Sequence, residues 1–232
     1  MAKDFQNQNV VTHYDEHIRK LIPGYELVHQ QIDAILSTFL SESAHVLVVG
    51  CGTGYELQYL LQKHNSWHFT AVDTSSTMLE QAQQNLKMHQ ERVTFIHGDV
   101  NQLAETEQFD AALAILVGHF VPFKEKLEFY RSIYSRLKEN TIFITYDLML
   151  QEHAYTFNIM QHLAEQIGLQ KHQSQKMIER IQQDFQLITI DDYRVCLKSV
   201  GFNTSEIFCQ IINYYGFLIQ KHHSLKSKNI HD

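Results

Sequence analysis

A run of apolar residues followed at once by closely spaced glycines constrains this chain more than any other feature. The apolar run 46–49 leads directly into the sequence G-C-G-T-G at positions 50–54. A continuous apolar run that ends at glycine is typical of a buried parallel strand. Glycine lets the backbone turn sharply and lie against a ligand, because it has no Cβ. Residues 55–61 then have a helical pattern, so we predict the strand, glycine turn and helix of a nucleotide-binding α/β unit.

An acidic residue at the end of the next apolar run limits which ligand this unit can bind. Asp73 ends the run 69–73, about 20 positions beyond the glycine turn, where a carboxylate can accept both hydroxyls of a ribose. NAD and S-adenosylmethionine both present such a ribose, and a solvated aspartate before a helix cap is a third interpretation. Asp73 alone therefore does not decide between them.

Three further features favour S-adenosylmethionine. The third glycine of the turn comes one residue earlier than in G-x-G-x-x-G, which fits badly with a pyrophosphate on the helix N-terminus. The strand 93–98 is followed by Asp99, whose carboxylate can accept a hydrogen bond from an adenine amino group. Residues 108–116 then predict a fourth strand, and residues 137–144 predict a helix end, a turn and a fifth strand.

In this order, the motifs V-L-V-V-G-C-G-T-G, A-V-D, G-D, F-D-A and L-K-E-N-T resemble the class I S-adenosylmethionine-dependent methyltransferases over residues 44–150. The resemblance implies a Rossmann-like α/β fold, a seven-stranded sheet with an antiparallel last strand, and S-adenosyl-L-methionine as cofactor. The cofactor-binding residues that we expect are Tyr14, Arg19, Tyr25, Gly50, Cys51, Gly52, Asp73, Thr74, Met78, Asp99, Val100 and Ile115.

The flanking segments are similar to one branch of this family, the bacterial carboxy-S-adenosylmethionine synthases, which act in tRNA wobble-uridine modification. Residues 18–25 have the pattern I-x-x-x-x-P-G-Y of that branch, and residues 197–206 are also similar to it. This resemblance implies that the protein is a homodimer and that Tyr25 closes over the cofactor. We expect Tyr14 and Arg19 to belong to the same lid.

Two positions depart from the branch. Ungapped alignment on Gly201 puts Cys196 where the branch carries an arginine for the extra carboxylate of its product, and Ile115 replaces an asparagine. Cysteine cannot replace a bidentate guanidinium, and Arg194 lies about 200° round the helix from position 196. We therefore expect methyl transfer to a small-molecule acceptor. A carboxy-S-adenosylmethionine synthase-like enzyme and a non-catalytic S-adenosylmethionine-binding protein are the alternatives.

Methyl transfer from a sulfonium is an in-line displacement, for which the protein supplies mainly position and exclusion of water. A general base assists when the acceptor is a hydroxyl or an amine. The candidates are Tyr14, His119, Tyr146 and His153, because each falls near a strand C-terminus or in an expected lid. Any of these side chains could instead be packed or solvated, so the catalytic residue stays open.

The order of patterns predicts five segments along the chain. They are an N-terminal helical cap 1–43, a cofactor-binding core 44–150, a helical lid insertion 151–188, a helix and hairpin 189–221 that complete the core, and a tail 222–232. We predict helices at 10–21, 25–40, 55–64, 76–89, 124–137, 151–184 and 190–200, and strands at 44–50, 68–73, 93–98, 110–116, 141–147, 205–211 and 214–221.

Composition narrows the partners and the compartment. The 232 residues carry a formal net charge of −7, whereas nucleic-acid binding needs a basic surface. The longest apolar runs are too short to span a membrane, and no N-terminal segment has the pattern of a secretion signal. The three cysteines and the adjacent pair His222-His223 have no metal-ligand spacing. We expect a cytoplasmic protein with no metal, no membrane contact and no direct nucleic-acid contact.

Overall fold

The computed structural model describes residues 5–12, 14–104, 106–151, 153 and 155–222. The predicted tail lies outside these residues except for His222. The strands in the described residues are β1 His45–Val49, β2 His68–Asp73, β3 Val93–His97, β4 Phe109–Ile115, β5 Leu137–Leu148, β6 Thr204–Ile211 and β7 Tyr214–Lys221. The α-helices there are α1 Gln8–Thr12, α2 Tyr14–Leu21, α3 Tyr25–Phe39, α4 Tyr55–Lys63, α5 Ser76–Asn85, α6 Lys126–Ser135, α7 Tyr155–Gln166, α8 Lys171–Asp184 and α9 Ile190–Val200.

The strands form one mixed sheet in the order β3-β2-β1-β4-β5-β7-β6. Strands β1 to β5 pair in parallel, whereas β7 pairs antiparallel with both β5 and β6. Only two residues, Ile212 and Asn213, separate β6 from β7, and so short a connection requires antiparallel neighbours. The predicted seven-stranded Rossmann-like sheet with an antiparallel last strand is confirmed.

Alternation along the central strands divides the apolar core into two layers. Val46 and Val48 of β1 belong to a cluster that also contains residues of α2, α3, α4, α7 and α8. Leu47 and Val49 belong to a second cluster with residues of α6 and α9. Successive residues of a strand point to opposite faces, so helices cover both faces of the sheet, as parallel strands require.

The starts of α5 and α9 have side-chain caps. The Ser75 hydroxyl accepts a hydrogen bond of 3.2 Å from the backbone N–H of Met78 at the start of α5. The Thr189 hydroxyl accepts one of 3.1 Å from the backbone N–H of Asp192 at the start of α9. Each bond satisfies a helix N–H that has no partner within the helix.

The start of the fifth strand was wrongly predicted. Residues 137–140 were expected to end a helix and form a turn, but β5 begins at Leu137 and α6 ends at Ser135. Lys138 pairs with Asp110 of the neighbouring strand at 2.6 Å, and Asn140 adopts a left-handed φ of 60° within the strand. Pairing with β4 therefore overrides the local preference of this polar stretch.

Three long predicted helices are shorter or divided in the structure. The expected helix 10–21 corresponds to α1 and α2 on either side of residue 13, and the expected helix 76–89 ends at Asn85 before a 3-10 turn. The insertion 151–184 contains α7 and α8, separated near Gly168, whose φ is 107°. A residue with this φ cannot continue an α-helix. Within the described part of the chain, no helix is both long and apolar enough to cross a membrane.

Candidate active site

The glycine turn between β1 and α4 has a conformation that favours glycine. Gly50 and Gly52 have φ of 67° and 52°, in the left-handed region that other residues avoid. A Cβ on Gly50 would lie 2.5 Å from Val117 Cγ2, whereas a Cβ on Gly52 would meet no heavy atom within 4 Å. The turn is therefore packed at position 50 and open at position 52, where a ligand can lie against the backbone.

Asp73 at the end of β2 links this turn to the next helix. One carboxylate oxygen accepts a hydrogen bond of 2.8 Å from the Gly52 N–H, and the other accepts one of 2.8 Å from the Ser75 N–H. Burial raises the pKa of this carboxyl, and the two backbone N–H groups act in the opposite direction. The carboxylate is held at the carboxyl edge of the sheet, where a ribose would bind.

A cavity of about 340 Å³ lies between the glycine turn, the ends of β2 and β3 and the loop after β4. We call it the cofactor cavity. Five of the twelve expected cofactor residues line it: Gly50, Asp73, Thr74, Asp99 and Val100. The residues therefore fit an adenosine group, with a carboxylate for the ribose, an exposed carboxylate at Asp99 for the adenine and an open glycine turn beside them.

The structure places four other expected cofactor residues next to this cavity rather than in its lining. Gly52 belongs to the turn itself, and Cys51, Met78 and Ile115 are buried in the surrounding core, with 1%, 3% and 8% of their surface exposed. Burial raises the pKa of the Cys51 thiol well above its usual value. Cys51 is therefore a packed side chain and not a reactive nucleophile.

The expected lid residues divide between two places. Tyr14 lines a second cavity, described below, whereas Arg19 and Tyr25 contact Tyr55 at the start of α4. The Arg19 guanidinium lies 4.7 Å from the centre of the Tyr55 ring and pairs with Glu26 at 2.7 Å. Arg19 and Tyr25 thus cover the helix that follows the glycine turn and line neither cavity.

An acidic group beside the glycine turn was not predicted. Glu56 in the first turn of α4 is buried, with 6% of its surface exposed. Burial, with the nearby charges of Asp73 and Asp15, raises the pKa of its carboxyl to about 8. Burial and the same carboxylates raise the pKa of Tyr14 above its usual value. Tyr14 therefore stays protonated at neutral pH and can donate a hydrogen bond but not act as a base.

A second cavity, of about 280 Å³, adjoins the first at Phe120, which lines both. We call it the acceptor cavity. Its walls come from α2 and α8, and its other lining residues include Leu116 and His119 from the loop after β4. Phe120 and Phe185 pack edge to face with ring centres 5.0 Å apart. The cavity is therefore mostly apolar and lies where the loop after β4 meets α2 and α8.

His119, which lines the acceptor cavity, pairs with Asp147, which does not line it. Nδ1 of His119 bonds to Oδ1 of Asp147, and both residues are buried, with 5% and 4% of their surface exposed. With Nδ1 donating to the carboxylate, the neutral imidazole carries its lone pair on Nε2. A histidine held in this tautomer by a carboxylate can take a proton from a bound hydroxyl or amine.

The surrounding backbone holds this pair in place. A Cβ on Gly118 would lie 2.3 Å from Asp147 Oδ2, so glycine is required for the carboxylate to approach the loop. The buried Lys126 ammonium donates a hydrogen bond of 2.6 Å to the Gly118 carbonyl. Leu116, which lines the cavity, has a left-handed φ of 62°, and such strain is common at active sites.

The end of the lid helix α8 is connected to the same loop. The Gln186 N–H donates a hydrogen bond of 2.8 Å to the His119 carbonyl. The Phe185 ring lies 4.4 Å from the His119 ring, centre to centre. The position of α8 and the position of His119 are therefore coupled.

The other two candidate bases are not brought to this position. Tyr146 is fully buried, its hydroxyl has no hydrogen-bond partner among the described residues, and burial raises its pKa. His153 stacks on Tyr155 and lies on a separate surface depression. Among the four candidates, His119 is the one that combines an accessible cavity with an orienting carboxylate.

Position 196, which aligns with an arginine of the carboxy-S-adenosylmethionine synthases, lines neither cavity. Cys196 on α9 is half-buried against the second apolar cluster, and it lines neither cavity. Arg194 is exposed, as its angle round the helix predicted, and it lies 4.0 Å from Asp191. Among the described residues, no three His, Cys, Asp or Glu side chains are grouped as a metal site would require.

Sequence reasoning missed Asp147, Glu56 and the lid residue Arg180. Asp147 is the last residue but one of β5, and Asp73 ends β2, so a carboxylate near a strand end was an available signal. Glu56 follows the glycine turn, where an acidic residue is also the ordinary choice for a helix N-terminus. Arg180 lies in a glutamine-rich helical insertion, and nothing in the local pattern separates it from a solvated charge.

Comparison with known proteins agrees with this geometry. Residues 46–140 match the family described as a methyltransferase domain. The chain is 25% identical over 216 residues to the carboxy-S-adenosyl-L-methionine synthase of Campylobacter curvus, covering 91% of this chain and 92% of that protein. It is 35% identical over 112 residues to the malonyl-[acyl-carrier protein] O-methyltransferase of Priestia megaterium, covering 48% of this chain and 39% of that protein.

A solved structure of the plantazolicin methyltransferase BpumL has the same fold, with a TM-score of 0.67 at 14% identity, over 93% of this chain and 90% of that one. The sheet order, the glycine turn with Asp73 and these similarities lead to one conclusion. The chain is an enzyme with methyltransferase-like chemistry and S-adenosylmethionine as its cofactor, and it is similar to the class I S-adenosylmethionine-dependent methyltransferases.

Proposed function

We propose that this enzyme transfers a methyl group from S-adenosylmethionine to a hydroxyl or amino group of a small molecule, with His119 as general base. The observation that carries the proposal is His119, which lines an apolar cavity next to the cofactor cavity and is paired with the buried Asp147. A cavity of about 280 Å³ is just below the usual range for small-molecule sites, roughly 300–1,000 Å³.

Each group of residues has a separate role in the proposed reaction. When bound, S-adenosylmethionine supplies a methyl group activated by its sulfonium. Asp73, Asp99 and the backbone at Gly52 hold the cofactor, and Phe120 and Phe185 exclude water. His119 accepts the acceptor's proton at Nε2, while Asp147 keeps Nδ1 protonated and stabilises the imidazolium that forms.

The proposal is tested by measuring S-adenosylhomocysteine formed from S-adenosylmethionine with a panel of small phenols, hydroxy acids and amines. We expect H119A to lower kcat by about 10²–10⁴-fold, the usual contribution of a general base. H172A, which removes an exposed histidine of α8, is the matched control and should retain the wild-type rate. Wild-type turnover in H119A would contradict the role of His119.

A carboxy-S-adenosylmethionine synthase-like activity is the second candidate. It is favoured by the curated relatives of that name, which match at about 25% identity over nearly the whole chain. Against it, the chain has Cys196 where that branch has an arginine, and position 196 lines neither cavity. Mass spectrometry of the ligand retained on purification separates the two, because we expect S-adenosylmethionine or S-adenosylhomocysteine and not the carboxylated cofactor.

We also propose that the enzyme is a cytoplasmic homodimer that acts on a free small molecule. Exposed apolar side chains around one surface depression support the dimer: Leu150 and Ile207 line the depression, and Val195 follows Arg194, which also lines it. Cys51, Cys196 and Cys209 form no disulfide, which is consistent with a reducing compartment. The net charge of −7 argues against a nucleic-acid partner.

A further inference from the structure

The acceptor cavity has a charge opposite to that of the chain as a whole. The formal net charge of the sequence is −7, yet no aspartate or glutamate is among the described residues that line this cavity. Its ionisable lining residues are instead Lys176 and Arg180 of α8, together with His17, His119, Tyr14 and Tyr214. Lys176 and Arg180 are one helical turn apart, so they lie on the same face of the helix.

Arg180 is not fully satisfied by its neighbours. Its Nε is buried and makes no hydrogen bond to any residue that the structure describes. It lies 3.7 Å from Asp184 Oδ2, a separation too long for a hydrogen bond. That carboxylate oxygen is likewise buried without a hydrogen-bond partner in the described chain. A half-buried guanidinium in this state can gain hydrogen bonds from an anion in the cavity.

We propose that the methyl acceptor is a small carboxylic acid, whose carboxylate is bound by Arg180 with Lys176 beside it, and whose apolar body packs against Phe120 and Phe185. This inference rests on the methyl transfer proposed above and names the acceptor class. The planar fork of an arginine matches a carboxylate with two parallel hydrogen bonds. The largely apolar lining then favours an acid with an apolar body. Bound in this way, the acid places its reacting hydroxyl or amine toward His119.

Discrimination against neutral molecules follows from the same geometry. A neutral analogue of equal shape would cover Arg180 and remove water without supplying an anion. Covering the Nε of Arg180, which is already without a hydrogen-bond partner among the described residues, is costly, so the site disfavours such analogues relative to acids.

The carboxylate at this site has two possible sources, the acceptor or the methionine group of the cofactor, and the experiment separates them. The protein is saturated with S-adenosylhomocysteine and titrated with 3-phenylpropionate or the isosteric 3-phenylpropionamide, with binding measured by calorimetry. We expect the wild type to prefer the carboxylate by about tenfold or more, R180M to reduce that preference to within about twofold, and R180K to retain part of it. R194M removes an exposed arginine outside the cavity and should behave as the wild type.

Affinity for S-adenosylhomocysteine is measured in the same variants. We expect R180M to change it by less than about twofold. Equal affinity for the two probes, binding of neither, or an unchanged preference in R180M would overturn the inference. A combined result would also overturn it: R180M binds S-adenosylhomocysteine much more weakly, and 3-phenylpropionate displaces S-adenosylhomocysteine. Arg180 would then bind the carboxylate of the cofactor and not that of the acceptor. This experiment measures binding and not methyl transfer, so a negative result would leave the proposed role of His119 intact. A wild type that prefers the carboxylate but transfers no methyl group would contradict only the proposed methyl transfer.

Discussion

The bond between His119 and Asp147 decides which imidazole nitrogen carries the proton. An asparagine at position 147 can donate to Nδ1, which would turn the proton of the neutral ring to Nε2 and remove the base. We expect D147N to lower kcat by about 100-fold or more with little change in KM. ¹⁵N NMR of the His119 ring reports the tautomer directly. D191N, at an exposed aspartate of α9, is the control, and an unchanged tautomer in D147N would contradict this role.

Asp73 is expected to contribute most of the ribose recognition. Replacing it by alanine removes the acceptor of two ribose hydrogen bonds, and charge-assisted bonds are worth about 1.5–3 kcal/mol each. We expect D73A to weaken S-adenosylmethionine binding by a few kcal/mol in calorimetry. Asp73 also accepts hydrogen bonds from Gly52 and Ser75, so thermal unfolding must show that D73A remains folded. Unchanged affinity in a folded D73A would show that the ribose binds elsewhere.

Glu56 makes stability depend on pH. Its pKa is about 8 in the folded protein and about 4.3 when unfolded, so between these values the folded state holds a proton that the unfolded state has released. The free energy of unfolding therefore falls as pH rises from about 4.5 to 8, by up to about 1.4 kcal/mol per pH unit. We expect E56Q to match the wild type at pH 5 and to exceed it at pH 8.5 in denaturant titrations. Parallel pH profiles would contradict the raised pKa.

The same group should make cofactor binding release a proton. S-adenosylmethionine carries positive charge, which favours the ionised carboxylate of Glu56 and lowers its pKa. At pH 7, calorimetry in buffers of different ionisation enthalpy should detect proton release from the wild type and less from E56Q. An identical buffer dependence in the two proteins would place the charged groups of the cofactor away from Glu56.

Sequence alone predicts the candidate residues that a local pattern marks. Gly50 and Gly52 directly follow one apolar strand, and Asp73 ends the next one. Asp147 and Arg180 were missed because their roles depend on distant partners, His119 in the loop after β4 and the cavity enclosed by α2 and α8. Access to the cavity also could not be predicted locally: Tyr146 and His119 are both buried, and of the two His119 lines the acceptor cavity.

At the scale of elements, the N-terminal segment covers the start of α5. The Ser75 hydroxyl donates to the Phe5 carbonyl at 2.7 Å, the Thr77 hydroxyl donates to the Gln6 carbonyl at 3.1 Å, and Asp15 of α2 accepts a bond from Thr53 in the glycine turn. These contacts connect residues before β1 to both sides of the cofactor cavity. Cofactor binding should therefore tighten this segment.

Hydrogen exchange tests this prediction. We expect amides in 5–12 and 14–30 to exchange more slowly when S-adenosylhomocysteine is bound, because the contacts to Ser75 and Thr53 would open less often. D15A should lose part of that protection in α2 while retaining it around Ser75. Exchange in these ranges that is indifferent to the cofactor would rule out a lid.

The elements themselves were predictable where apolar periodicity is strong and less so where tertiary pairing decides. Strands β1, β2 and β4 are almost continuous apolar runs, and their positions were predicted to within a residue or two. The first residues of β5 are polar, and they are extended because Lys138 pairs with Asp110 across the sheet. No local preference carries that information, so the turn predicted there was wrong.

At the scale of the whole molecule, the proposed homodimer can be tested through its apolar surface. Leu150 and Ile207 are each 41% exposed, and β6 is an edge strand of the sheet. We expect light scattering to give twice the mass of the chain, and L150E or I207E to give a monomer, because a buried carboxylate without a partner is costly. L27E, at an exposed leucine of α3, should leave the dimer intact. A monomeric wild type at assay concentrations would contradict the proposal.

The hydrogen bond from Gln186 to His119 connects the end of α8 to the loop that carries the proposed base. Because Gln186, just after α8, is bonded to the loop that carries His119, the binding of an acid at Arg180 of α8 is coupled to the position of the imidazole in the proposed reaction. Without an acceptor, we expect S-adenosylhomocysteine to form from S-adenosylmethionine no faster in the enzyme than in buffer. The bound S-adenosylmethionine would thus not react with water before the acceptor binds.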